Sequence, residues 1–173
     1  ASTNTIVKEA NVSKGTLFHY FESKEKLNNY LEYFAVNAVT NAVVKDIDWE
    51  QKDLFSRLKQ TVISKFKVYL KYPYLADFSM VVLGSKSPEE FKLIDPKFPH
   101  DLYEKVYKHN IDYSLFKDDV DVSRAINILM WTLEKYSEQL LLELNNSDKI
   151  LDKKDIEREL FIYMDMLKTS FYK

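Results

Sequence analysis

Two glycines in 173 residues, Gly15 and Gly84, leave this chain little material for tight turns, and four prolines add few breaks. Leu, Lys, Glu and Ala-type helix formers are abundant instead, so the expected fold class is all-α. With 46% hydrophobic residues, the chain can bury one substantial core, or a small domain resting on a larger one.

The other totals narrow the function. No run of about 18 apolar residues occurs, and the start ASTNTIVKEANV lacks the charge and apolar stretch of a signal peptide. A cytoplasmic protein without a membrane partner is expected. The absence of cysteine excludes disulfides, thiolate zinc sites, iron–sulfur clusters and cysteine nucleophiles. A net charge of −2 argues mildly against nucleic acid as a partner. Locally the balance differs: in residues 1–26, Lys8, Lys14, Lys24 and Lys26 oppose Glu9, Glu22 and Glu25, a net of +1 that leaves −3 for the rest.

Apolar spacing and capping residues divide the chain into helices. Ser2 caps Thr3–Ala10, Asn11-Val12-Ser13 is a tight turn, and Ser13 caps Lys14–Tyr20. Ser23 starts a third helix with Glu25 in its first turn, where the helix dipole favours a carboxylate. Leu27, Tyr30, Leu31, Phe34, Ala35, Ala38 and Val39 carry that helix to about Val44. After the break at Asp46-Ile47-Asp48, a second long helix is expected over Glu50–Lys71, stopped by Pro73. Shorter helices follow over Tyr74–Leu83 and His100–His109, separated by a loop with one helical turn at Glu89–Leu93. The last two long helices are Val122–Leu144 and Asp152–Tyr172, and no internal repeat is present.

Residues 2–25 read STNTIVKEANVSKGTLFHYFESKE. Ile6, Ala10, Val12, Leu17 and Phe21 can converge between two short helices, leaving the opposite face of the second one small and polar. A major groove admits such a face. Gly15 removes a side chain where a backbone must come close to something. Thr16, His19 and Tyr20 offer hydrogen-bond donors, and Lys24 stands at a helix N-terminus suited to a phosphate. Each feature alone belongs more often to an ordinary helical hairpin; together, at fixed spacing, they point to DNA.

The same segment resembles the TetR family of repressors, whose members look like T-T-x-x-x-I-A-x-x-A-G-V-S-x-G-T-L-Y-x-Y-F-x-S-K-E-x-L in this region. The match comprises Ile6, Ala10, Val12, Ser13, Gly15, Thr16, Leu17, Tyr20, Phe21, Ser23, Lys24, Glu25 and Leu27. Departures are Val7 for alanine, Asn11 for the turn glycine and Phe18 for a tyrosine. Asn tolerates the left-handed backbone a glycine would supply; Phe18 loses a hydroxyl and with it one phosphate contact. The resemblance implies a helix-turn-helix DNA-binding domain with its connecting helix over residues 1–45, and a helical-bundle ligand-binding and dimerisation domain over 46–173. It also implies a further helix, about twenty residues long, ahead of Ala1. Lys14, Thr16 and Phe18 would then meet base edges or thymine methyls, and Ser2, Thr3, His19, Tyr20 and Lys24 would hold phosphates, with Ser13 and Gly15 completing the interface. The implied partner is a palindromic double-stranded operator bound by a homodimer, with no cofactor.

In the body, Ile156, Leu160, Tyr163, Met164, Leu167 and Phe171 form one stripe of the last helix, facing Ala125, Ile128, Leu129, Leu133, Tyr136, Leu140 and Leu144. Such stripes usually fill a core. Trp131, Leu141, Leu142, Phe161, Ile162 and Met166 add apolar surface outside them, and a helix apolar on more than one face needs more than one partner. A two-fold four-helix bundle between subunits supplies it. The expected dimer interface is Leu133, Leu140, Leu141, Leu160, Phe161, Met164 and Met166. Aromatics crowd the middle of the chain, either as core filler or around a cavity. The chamber residues expected on the second alternative are Phe66, Tyr69, Phe78, Tyr103, Tyr107 and Trp131. Few cations stand among them, which favours a small hydrophobic or aromatic effector over a strongly anionic one. An enzyme is not expected: His19, His100 and His109 lie far apart, and no H-E-x-x-H, Walker loop or G-x-S-x-G occurs. Asp118, Asp119 and Asp121 read as a solvated helix start rather than a metal site. The competing class is a helical protein–protein interaction module that uses the same hairpin as scaffolding.

Overall fold

The computed structural model describes residues 2–72, 74–85, 87, 89–90, 99, 101–146 and 153–173, with side chains for all of these but 77, 80, 83–84, 140–146 and 153–156. Its elements are α1 (Thr3–Glu9), α2 (Lys14–Phe21), α3 (Lys24–Asp46), α4 (Leu54–Lys71), α5 (Leu75–Ser85), α6 (Leu102–Tyr107), α7 (Val122–Asn146) and α8 (Lys153–Phe171), with a 3-10 turn at Tyr113–Leu115. The fold is all-α, as expected.

Local chemistry explains most of the boundaries. The hydroxyls of Ser2, Ser13 and Ser23 accept from the amides of Thr5, Thr16 and Lys26 at 3.1, 3.0 and 3.1 Å, so each of the first three helices opens on a serine cap. Ser87 and Glu90 cap each other reciprocally, at 2.7 and 3.3 Å. Residues 91–98 and His100 lie outside the described ones, and with them residues 91–93 of the helical turn expected at Glu89–Leu93. The fourth helix corrects the sequence-based boundary, because it starts at Leu54 rather than near Glu50. Asp53 is its cap, accepting from the amides of Phe55 and Ser56 at 2.8 and 3.2 Å. The turn before it is held by Arg57, which is 0% exposed. The Arg57 guanidinium donates to the carbonyls of Trp49 (3.2 Å), Gln51, Lys105 (3.0 Å) and His109. Burial presses its pKa down, and the carboxylates of Asp48 and Glu50 work against that.

The main core joins Val43 and Ile47 at the end of α3 to Leu54, Phe55 and Leu58 of α4, Val106 of α6, Ala125, Ile126 and Leu129 of α7, and Leu160 and Met164 of α8. Ala35 and Val39 of α3 pack on Leu75, and Val36 packs on Val82, which fastens α5 along the middle of α3. At its other end α3 buries Leu27 beside α2. One continuous helix therefore takes part in both the N-terminal unit and the body.

The last residues are knitted into the body. Tyr172 stacks edge-on against Phe55 and Phe116 at 4.9 and 4.8 Å, and its hydroxyl accepts from the Leu54 amide at 3.2 Å. Lys117 Nζ donates to the carbonyls of Thr169 and Ser170, both at 2.9 Å, meeting the acceptors that the end of α8 leaves open. Burial raises the Asp53 carboxyl, but its hydrogen bonds from Lys168 and from the Ser56 and Phe55 amides hold it below the usual carboxylate range. Among the described residues, no helix is long and apolar enough to cross a membrane.

Candidate nucleic-acid interface

Two short helices, α1 and α2, meet the start of the long α3 around a small apolar centre at the N-terminus. Asn11 takes the left-handed backbone, with φ 52°, as expected for a residue standing where a glycine would serve. Leu17 and Leu27 are buried, whereas Ile6 and Phe21 are half-buried and Ala10 and Val12 exposed. The expected convergence of five apolar residues is thus only partial, since α1 itself buries none of its residues. The rings of Phe21 and Tyr30 meet at 5.3 Å and extend the packing from α2 onto α3.

The other face of α2 is open. Lys14, Gly15, Thr16, Phe18, His19 and Tyr20 are all exposed, Tyr20 to 74%. The cap serine and Thr16 share a hydroxyl contact at 2.9 Å, so the first turn presents two hydroxyls in a fixed arrangement. The rings of His19 and Tyr20 sit edge to face at 5.4 Å. Glu22 ends the helix with φ 58° and pairs with Lys26. Lys14 and Lys24 meet no carboxylate among the described residues, and Lys24 stands in the first turn of α3 beside the Ser23 cap. Ser2 is exposed at the start of α1 and Thr3 is half-buried.

Gly15 is informative by what does not surround it. A Cβ built there would meet only the Ser13 hydroxyl, at 3.6 Å, which is ordinary contact, and its φ is not positive. Nothing inside the chain requires glycine at this position.

Among the described residues, the six expected chamber residues fall in different surroundings. Tyr69 and Phe78 are half-buried and pack against the cluster of Ala35, Val39 and Leu75. Burial raises the Tyr69 hydroxyl, partly offset by a hydrogen bond with Ser79. Phe66 and Tyr107 pack on the main core, and burial pushes Tyr107 up to about 12. Tyr103, tilted against Tyr107 at 4.9 Å, is exposed, and Trp131 is 60% exposed. Among the described residues, Phe66, Tyr69, Phe78 and Tyr107 pack against the apolar clusters, and Tyr103 and Trp131 lie at the surface. A groove of about 410 Å³ lies instead between α3 and α4, lined by Phe34, Ala38, Lys67, Val68, Lys71 and Tyr72.

The expected dimer residues divide the same way. Leu160 and Met164 are fully buried in the chain's own core, and Leu133 is packed against it. Phe161 is half-buried and Met166 exposed to 64%. The side chains of Leu140 and Leu141 lie outside the described ones. Among the described side chains of α7 and α8, the exposed large apolar ones are Ile128, Trp131, Ile162, Tyr163 and Met166. Ile128 and Tyr163, expected in the facing stripes, are thus exposed instead.

Residues 1–31 match the family model described as bacterial regulatory proteins, tetR family. No curated protein and no solved structure matches the chain. The matched residues are those that form the capped helices, the left-handed turn and the open face of α2, so the N-terminal segment of this chain is a helix-turn-helix similar to the DNA-binding unit of the tetR-family regulatory proteins.

Proposed function

We propose that the protein is a ligand-responsive transcriptional repressor that binds a palindromic operator as a homodimer in the cytoplasm and is released by a small hydrophobic or aromatic molecule. Residues 1–45 are its DNA-binding domain and residues 46–173 its ligand-binding and dimerisation domain, with α3 crossing between them. The open face of α2 carries this reading: Lys14, Thr16 and Phe18 read bases, while Ser2, Thr3, His19, Tyr20 and Lys24 hold phosphates. Phosphate contacts release counterions and so make affinity fall with salt. Lys24→Ala is expected to weaken binding about equally on all sequences and to lower the salt slope by about one. Filter binding or fluorescence anisotropy at several salt concentrations checks this. A Lys24 variant that keeps affinity and slope reduces the S-K-E segment to a helix cap, and an interaction module would show no salt-dependent DNA binding at all.

Assembly follows from the exposed apolar residues of α7 and α8, which in an isolated chain would face water. A two-fold packing of these helices against a second copy covers them. Met166→Lys is expected to shift the protein from dimer to monomer at micromolar concentration while leaving its helical content unchanged. Light scattering that reports a monomer for the unmodified chain removes the interface.

A further inference from the structure

We infer that the groove between α3 and α4 binds a small amphipathic carboxylate, an apolar chain or ring that ends in one anionic head. The inference rests on the regulator proposed above and names the chemical class of its effector. At about 410 Å³ the groove lies in the size range of small-molecule sites, roughly 300–1,000 Å³. Four of the residues around it, Phe34, Ala38, Val68 and Tyr72, offer apolar surface, and the rings of Phe34 and Tyr72 meet edge to face at 5.5 Å.

The charge at this groove is positive. Lys67 is occupied, 2.9 Å from the Asp46 carboxylate. Lys71 is not: its ammonium rests over the Tyr72 ring at 5.1 Å and meets no carboxylate among the described residues. A cation held against an aromatic face beside apolar surface is half of a charge-assisted pair, and a ligand carboxylate completes it. A neutral ligand gains only the apolar contact, and a cationic one is repelled. The preference for a hydrophobic or aromatic effector over a strongly anionic one, drawn from the sequence, rests on Phe66, Tyr69, Phe78, Tyr103, Tyr107 and Trp131. None of those lines this groove.

Placement gives the site its consequence. Phe34 and Ala38 belong to α3, which also buries Leu27 in the N-terminal unit. A ligand seated between α3 and α4 touches both helices, so it distinguishes states in which their relation differs.

Decanoate and decanol, one apolar chain with and without the charge, are titrated into the full chain by calorimetry. Decanoate is expected to bind about tenfold more tightly than decanol. Lys71→Gln should weaken decanoate about tenfold and leave decanol unchanged, and Ala38→Phe should abolish both while circular dichroism shows the helices intact. Equal affinity for the two ligands, or a Lys71→Gln protein that keeps the preference for decanoate, overturns the anionic head. Undiminished binding by the Ala38→Phe protein overturns the groove, and no binding of either ligand overturns the whole inference. Lys71 is exposed, so its replacement carries the test without risk to the fold. DNA selected from a random pool separates the two levels. Binding to that DNA without any decanoate binding leaves the regulator standing and sinks the inference. Decanoate that binds as expected yet leaves DNA affinity unchanged overturns its assignment as effector.

Discussion

Arg57→Leu is expected to cost about 3–5 kcal/mol of folding stability, a large part of what a domain of this size possesses. The guanidinium is 0% exposed and donates to the carbonyls of Trp49, Gln51, Lys105 and His109. Leucine removes the charge and the donors together, and four carbonyls lose a partner, each at roughly 1–3 kcal/mol if it stays buried. Relaxation toward water recovers part of that, which keeps the total near the lower sum. Arg57→Lys should fall between the two, because one ammonium cannot span acceptors on both sides of α4 as a planar fork does. Urea denaturation followed by circular dichroism measures the effect. A loss below about 1 kcal/mol for the leucine variant would mean that the turn at residues 48–53 and the end of α6 hold themselves, and that the clamp is incidental.

Gly15→Ala is expected to separate folding from DNA binding. Inside the chain the added methyl meets only the Ser13 hydroxyl, at 3.6 Å, and the backbone needs no glycine. Helix propensity alone then predicts a gain of up to about 0.5–1 kcal/mol, read as a higher melting temperature. In the proposed complex the same methyl would stand at the exposed first turn of α2, between the backbone and a phosphate or base. A loss of roughly tenfold or more in affinity is expected, about the cost of one wrong base pair. Gly15→Leu should deepen that loss without unfolding the protein. An alanine variant that is more stable and binds DNA as before would place the first turn of α2 away from the duplex, and with it Lys14 and Thr16.

The N-terminal unit was legible because its signals are local. A serine hydroxyl capping three residues ahead, an asparagine at a left-handed position and a glycine in a first turn each act within one turn of chain, so sequence spacing carries them directly. The long helices were legible for the related reason that apolar periodicity reports which face is buried. Where distant segments decide, the sequence was silent. Nothing near Glu50 reveals that Arg57 will take the carbonyls of Trp49 and Gln51 and delay α4 to Leu54. Nothing near Tyr172 reveals that it will lie between Phe55 and Phe116. The groove at Phe34 and Tyr72 was missed because its residues come from two helices, and periodicity describes each helix singly. Abundance of aromatics pointed instead to Phe66, Tyr69 and Tyr107, which pack against the two apolar clusters.

The continuity of α3 sets a mechanical scale. Leu27 is fixed in one small apolar centre and Val43 in the main core, sixteen positions apart on an unbroken helix, or about 24 Å at 1.5 Å per residue. A tilt of about 5° pivoting at Val43 would carry Leu27 sideways by roughly 2 Å over that arm. Hydrogen bonds to base edges do not survive such a displacement, because they weaken within a few tenths of an ångström beyond about 3.2 Å. An angular change too slight to disturb the packing of Val43 and Ile47 is therefore enough to move α2 out of register with a groove.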